Sequence, residues 1–314
     1  MEGFWIITQA SVPVFLMMGV GYLLCALKQF PKESFNAILN IDVKALIPCL
    51  IVDSILGNQA LKNFGTLLSA PVFGIFMLLM GLGAGLLTRK LAGISTEEVL
   101  QGRSYTVSVG LFNYGYIPFP LALALYDQET VGVLFVFNVG IEVCVWTIVV
   151  ALLSGYSLLK EWKKIFNMPL LAIVFSLILN FAGVPLPSVL RQTCHALGQC
   201  AYPLGLVVCG GVIYNLCQKE SVLDHLRAPV IATAIRCGVL PILTLLIAML
   251  FPFSVELKRV IILQAAMPTA VFAMVLSQMF NADSGLAFRV VLVSTLLSVV
   301  TTPIWIQIGT KMLM

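Results

Sequence analysis

One short run concentrates unusual backbone and side-chain chemistry: Phe112-Asn113-Tyr114-Gly115-Tyr116-Ile117-Pro118-Phe119-Pro120. It lies midway along an apolar segment. Proline removes a backbone donor and collides with the preceding turn, and glycine loosens what remains. In lipid, freed backbone groups are costly unless they face protein or a watery cavity. The run therefore predicts a helix broken near its middle. A second half-helix would start at Pro118, a favoured first-turn residue, and its first amides carry partial positive charge. A milder version, Met267-Pro268-Thr269, sits in a later apolar segment. Two such starts converging at the bilayer midplane would hold an anion without any cationic side chain. The alternative at both places is an ordinary proline kink.

Ionisable residues inside apolar segments are candidates for function because burying charge is expensive. Glu142 is one, with Asn138 one turn before it on the same face. Arg236 is another, at a matching depth. Three readings stay open: a buried Glu142–Arg236 ion pair, Arg236 as a ligand for a substrate carboxylate with Glu142 as a proton-coupling site, or the two charges snorkelling separately. Asp53 is expected near the outer end of its segment, within reach of interfacial water. Asp42 and Lys44 are expected near the cytoplasmic interface. Tyr105, Ser108, Gln264, Ser294, Thr295 and Ser298 are further polar positions, and such Ser and Thr side chains usually bond their own backbone or a neighbouring helix. The eight cysteines form no CxxC pair and read as small apolar filler. With only His195 and His225 available, no zinc pattern can be assembled. No metal or cofactor is expected.

These groups need a membrane around them. Hydrophobic residues make up 60% of the 314 residues and charged residues 10%, with a mean hydropathy of +1.03. A soluble domain carries roughly 25% charge, so the chain reads as an integral membrane protein. A net charge of +4 is too small for a nucleic-acid footprint. A helix needs about 20 apolar residues to cross the hydrocarbon. Ten segments qualify, with cores at 5–27, 36–57, 67–88, 104–126, 131–155, 168–183, 196–217, 229–251, 258–280 and 286–309. The fold class expected is therefore all-α and integral to the membrane, with spans 4 and 9 broken.

Basic residues near span ends stay in the cytoplasm. One set of loops carries eleven of them: Lys28, Lys32, Arg89, Lys90, Arg103, Lys160, Lys163, Lys164, Lys219, Arg227 and Arg289. The other carries five: Lys62, Arg191, Lys258, Arg259 and Lys311. Both termini are thus expected on the outer side of the cytoplasmic membrane. A faint duplication accompanies this pattern. Pro48 and Pro203 are 155 residues apart, as are Asn113 and Pro268, and Pro71 and Pro229 are 158 apart. The period fits a five-helix unit, residues 1–157, repeated upside down as 158–314. The seam falls at an amphipathic stretch, 158–167. Gly19, Gly21, Gly81, Gly83, Gly85, Gly210 and Gly211 read as close helix-packing positions.

With those residues in view, the chain resembles the auxin efflux carrier family, which includes bacterial carriers and the plant PIN carriers. The likeness spans nearly the whole chain. Asn113 to Pro120, followed by Leu121 and ending in Tyr126, looks like the family's crossover in the fourth span. Gln264-Ala265-Ala266-Met267-Pro268 looks like its partner in the ninth, and Pro48 and Pro303 also fit. Membership implies ten spans in two inverted repeats with crossing helices 4 and 9. It implies a scaffold of spans 1, 2, 6 and 7, and a transport part of spans 3–5 and 8–10. It also implies a substrate held beside the crossover, with Asn113 and Asn138 as ligands and Pro48 on the scaffold wall. Pro118 departs from the glycine usual in bacterial members, which stiffens the half-helix start and narrows the pocket.

The reading that results is a bacterial PIN-like transporter and not an enzyme. No Walker A motif, no serine elbow and no pair of intramembrane aspartates is present. It would move small organic anions, mono- or dicarboxylates or auxin-like acids, by elevator-type alternating access, either actively or by facilitation. The expected site comprises Pro48, Asn113, Tyr114, Gly115, Pro118, Asn138, Glu142, Arg236, Met267, Pro268 and Thr269. Expected partners are the organic anion, the lipid bilayer, a coupling proton or sodium ion, and a second copy in a homodimer. The alternatives are a non-transporting receptor for an organic anion, or an anion channel.

Overall fold

The computed structural model describes residues 2–31, 33–155, 161–218 and 226–314. Lys32, Lys160, Lys219, His225 and the first residues of the 158–167 stretch lie outside them. The chain is all-helical. Its main helices are α1 (Glu2–Ala26), α2 (Glu33–Ile55), α3 (Phe64–Thr88), α4 (Val99–Gly110), α5 (Pro118–Leu125) and α6 (Gln128–Ser154). They continue as α7 (Met168–Ala182), α8 (Ser188–Cys217), α9 (Arg227–Ala248), α10 (Val255–Ala265), α11 (Val271–Met279) and α12 (Ser284–Leu313). Seven of these, α1, α2, α3, α6, α8, α9 and α12, are long and apolar enough to cross a bilayer. The apolar α7 is shorter at 15 residues. Large side chains such as Leu16, Leu23, Leu68, Leu87, Phe175 and Ile178 are exposed, as expected of surfaces that face lipid rather than water.

Local chemistry sets the helix ends. Asn167, Ser254 and Asp283 cap α7, α10 and α12 by accepting hydrogen bonds from Leu170, Leu257 and Leu286 amides. Gly183 ends α7 with φ +67°, a left-handed turn that a side chain resists. Three helices carry one wider π-type turn: Asp42–Leu46 in α2, Val145–Val149 in α6 and Ile235–Val239 in α9. Such turns release a backbone carbonyl from the ladder. In α9 the Cys237 carbonyl accepts instead from the Trp305 indole at 2.6 Å.

Glycines set which helices touch. A methyl on Gly210 of α8 would collide with the Met18 carbonyl of α1, and one on Gly21 with Val207 of α8. Gly81 and Gly85 of α3 pack against α4 less tightly, where a methyl would meet Gly110 Cα or Thr106 Cα at 2.8 Å. Gly19 and Gly83 instead face open space, so these two are not packing positions. The α1–α8 and α2–α7 contacts build one side of the molecule. The contacts of α3 with α4 and α6, and of α12 with α9 and α11, build the other.

Asp127 ties two of these helices together at one end of the molecule. It caps α6 by accepting from the Thr130 amide and hydroxyl, both at 2.8 Å, and its other oxygen accepts from Arg259 of α10 at 2.6 Å. Burial alone would raise this carboxyl, but the Thr130 and Arg259 hydrogen bonds outweigh it and hold Asp127 below the ordinary carboxylate range. A lowered folded value means stability that is complete above the unfolded value, about pH 4, and lost as pH falls through the lower folded value. The pair is half exposed, so the contribution is about 1 kcal/mol or less. Thermal unfolding in detergent between neutral pH and pH 3 tests this. Asp127→Asn should melt lower than the wild type at neutral pH and the gap should close in acid; a gap that stays constant with pH would contradict it.

Candidate functional site

The two interruptions meet. The α4 helix stops at Gly110 and α5 resumes at Pro118, while α10 stops at Ala265 and α11 resumes at Val271. Between them Phe112 and Thr269 form an antiparallel bridge, the only β pairing among the described residues. The Asn113 amide donates to the Pro268 carbonyl at 2.7 Å, and the Ala270 amide to the Leu111 carbonyl at 2.9 Å. The hydroxyls of Thr269 and Thr302 donate to the carbonyls of Ser108 and Ala266, at 2.8 and 3.0 Å. The two interrupted segments, together with Thr302 of α12, thereby supply partners that their own helices no longer provide.

Against this junction lies a cavity of about 480 Å³. Of the eleven residues expected at the site, five line it: Asn113, Tyr114, Gly115, Asn138 and Glu142. Most of the remaining wall is apolar, including Ile47, Leu50, Phe119, Phe135, Trp146 and Phe272, and among the described residues no lysine, arginine or histidine lines it. Asn138, 8% exposed, donates to the Tyr114 carbonyl at 2.7 Å and accepts from Gln264 at 3.2 Å. Both oxygens of Glu142 are occupied, one by the Tyr114 hydroxyl and one by the Trp146 indole, each at 2.8 Å. Asn138, Glu142 and Trp146 recur every fourth residue of α6, so one helix face carries all three.

The other expected residues stand elsewhere. Met267, Pro268 and Thr269 are spent on the junction: Met267 and Thr269 are fully buried, and Thr269 is bonded to Ser108 and Ser294. Pro118 opens α5 behind the wall, and Pro48 lies in α2 next to the lining residue Ile47. Arg236 forms no ion pair with Glu142. It is 1% exposed and its guanidinium lies over the Phe112 ring at 5.1 Å, on the side of the junction away from the cavity lining. Depth alone matched these two charges, whereas the junction stands between their helices. Asp42, expected near the cytoplasmic interface, is fully buried within α2, while Lys44 two residues on is exposed. Tyr116, which also lines the cavity, was missed because a tyrosine in an aromatic run carries no distinguishing signal.

A second cavity, about 690 Å³, lies at the Asp53 end of α2. Asp53 pairs there with His195 at 2.8 Å and accepts from Gln128 at 3.2 Å. Asn58 donates to the Glu129 carbonyl at 3.0 Å. These bonds clasp α2 and α8 to the start of α6.

Comparison with known proteins gives this geometry a context. The family model described as membrane transport protein matches residues 6–161 and 157–306. A protein of Methanothermobacter thermautotrophicus, described as an uncharacterized transporter, is 24% identical over 305 residues, covering 95% of this chain and 97% of that protein. A second one so described, from Methanocaldococcus jannaschii, is 24% identical over 308 residues, covering 93% and 95%.

The Asn138 amide joins the two interrupted segments through Tyr114 and Gln264, and its loss leaves these two only their own longer bond, Gln264 to the Tyr114 carbonyl at 3.4 Å. Asn138→Ala should lower stability by about 1–2 kcal/mol and shift the melting temperature of the detergent-solubilised protein downwards. An unchanged melting temperature would mean that this hydrogen-bond set carries no weight.

Proposed function

The chain belongs to the membrane transport protein family, to which the auxin efflux carriers belong, and from that premise we propose how this multi-pass membrane transporter works. The seven long helices, the shorter α7 and the two interrupted pairs make ten passes. They form two inverted repeats with α4–α5 and α10–α11 as crossing helices. The helix boundaries support this: α2 and α8 begin 155 residues apart, at Glu33 and Ser188, and α4 and α10 end 155 apart, at Gly110 and Ala265. Spans 1, 2, 6 and 7 act as the scaffold, and the remaining spans carry the substrate past it.

The substrate is a small organic anion, and the apolar wall favours a monocarboxylate with a hydrophobic body over a dicarboxylate. The observation that carries this reading is the cavity beside the paired interruptions. Its polar end combines the Asn113 side chain with Gly115 and Tyr116, next to the start of α5. Pro118 and Pro120 carry no N–H, the Phe119 amide donates to the Gly115 carbonyl at 3.3 Å and the Ile117 amide faces Asn113 Oδ1 at 3.5 Å. The start of α5 therefore offers the positive end of its dipole, and the Asn113 side-chain amide supplies the hydrogen bond to the anion. The cavity's other walls match an aliphatic or aromatic body. The Asp53–His195–Gln128 clasp closes the outer end, and Ile165 and Asn167, beside Lys163 and Lys164, border the cavity's other end. The arrangement is thus open to the cytoplasm, and elevator-like movement of the crossing helices would expose the same site to the outside.

Purified protein in proteoliposomes, loaded with an unlabelled aromatic monocarboxylate and given its labelled form outside, tests the proposal by exchange. The wild type should exchange label, and Asn113→Ala should slow exchange by about tenfold or more, the loss of one hydrogen bond to a charged group. Exchange by Asn113→Ala at the wild-type rate would overturn the assignment of the site.

A further inference from the structure

Asp42 is a charged residue type in a place built without a cationic partner for it among the described residues. It is fully buried, no hydrogen bond of good distance and angle closes on either carboxylate oxygen, and the polar group that reaches it is the Tyr116 side chain. None of the ion pairs among the described residues includes it. It opens the π turn of α2, a distortion frequent at functional positions. The ionisable groups facing it are Tyr116, from the interrupted segment, and Cys209, from α8. Lys44, the next charge on its own helix, is exposed and turned away.

Tyr116 connects Asp42 to the substrate cavity. Its ring fills a notch at Gly205 of α8, where a methyl would collide with Cε1 and Cδ1. The same tyrosine lines the cavity next to Asn113. Movement of the interrupted segment therefore withdraws the lid over Asp42 in the same stroke that moves the site. An unpaired carboxylate charge is prohibitively costly in a dry interior, whereas in water it is stable. One carboxylate beside a hydroxyl and a thiol offers too few oxygens to hold a metal cation.

We propose that Asp42 is the coupling site: it holds a proton while Tyr116 is seated at Gly205 and releases it to water when Tyr116 leaves. Resting on the transport reading above, this makes one transit of the crossing helices, and with it movement of the organic anion, conditional on protonation of Asp42. In the step, the Asp42 O–H bond breaks, the electron pair stays on the carboxylate and the proton passes to an entering water molecule. Return of Tyr116 requires that a proton first be regained. Glu142 does not serve this role, because both its oxygens are committed to holding Tyr114 and Trp146.

Two measurements on the full-length protein test this. In proteoliposomes, the ratio of uptake under an inward proton gradient to gradient-free exchange of the same labelled monocarboxylate should fall by about tenfold or more in Asp42→Asn, the loss of a typical site–site coupling. An unchanged ratio overturns the proposal. Wild-type exchange without any response to the gradient also overturns it, whereas absence of wild-type exchange would strike at the transport reading itself. Should Asp42→Asn not insert, Tyr116→Ala keeps the test open, since unseating the lid should reduce the same ratio. Infrared difference spectra of the solubilised protein at neutral pH give a readout free of transport. The wild type should show a protonated-carboxyl stretch that Asp42→Asn lacks, and identical spectra would overturn the assignment.

Discussion

Backbone amides and carbonyls released inside hydrocarbon must find partners, and that requirement shapes the centre of this protein. Two helices are interrupted where they meet, and each repairs the other with one hydroxyl added by α12. The Asn113 amide reaches Pro268, the Ala270 amide reaches Leu111, and the hydroxyls of Thr269 and Thr302 take up the carbonyls of Ser108 and Ala266. Either interruption alone would leave orphaned groups in an apolar medium, at several kcal/mol each. The junction is thus cooperative: the second break stabilises the first.

Its consequence for function is a division of labour among polar residues. Those from the second segment, Met267, Pro268 and Thr269, are consumed in the repair. Those from the first face the cavity, where Asn113, Gly115 and Tyr116 combine polar atoms with the start of a short helix. Asn138, Gln264 and Glu142 then brace this face from α6 and α10, so the site is held by helices rather than by the irregular chain. The charges follow a different logic. Arg236 leans on the Phe112 ring behind the junction, and Asp42 waits under Tyr116 in front of it.

Much of this was legible from composition and from the most disruptive residues. Prolines and glycines act through local stereochemistry, so Pro118, Pro120 and Pro268 announced both interruptions without knowledge of any neighbour. The i, i+4 spacing likewise placed Asn138 and Glu142 on one face. What stayed hidden depends on partners distant in the chain. Arg236 and Glu142 matched in depth, but depth carries no information about azimuth, and the junction lies between their helices. Thr269 was placed in the correct segment, yet its hydroxyl turns to Ser108 because the bridge with Phe112 fixes the direction of the backbone. Asp42 was assigned to an interface because a charge near a span's start usually snorkels. Only the packing of α8 and Tyr116 around it reveals a buried carboxyl.

The central claim is that the paired interruptions create the substrate's resting place. An electron cryo-microscopy map of the protein in a lipid nanodisc with a bound aromatic monocarboxylate tests it most directly. The account predicts ligand density whose charged end lies at Asn113 and the start of α5, with the ring against Phe119 and Phe272. Density confined to the polar cavity around Asp53 and His195, or two continuous helices with no hollow between them and α2, would contradict it.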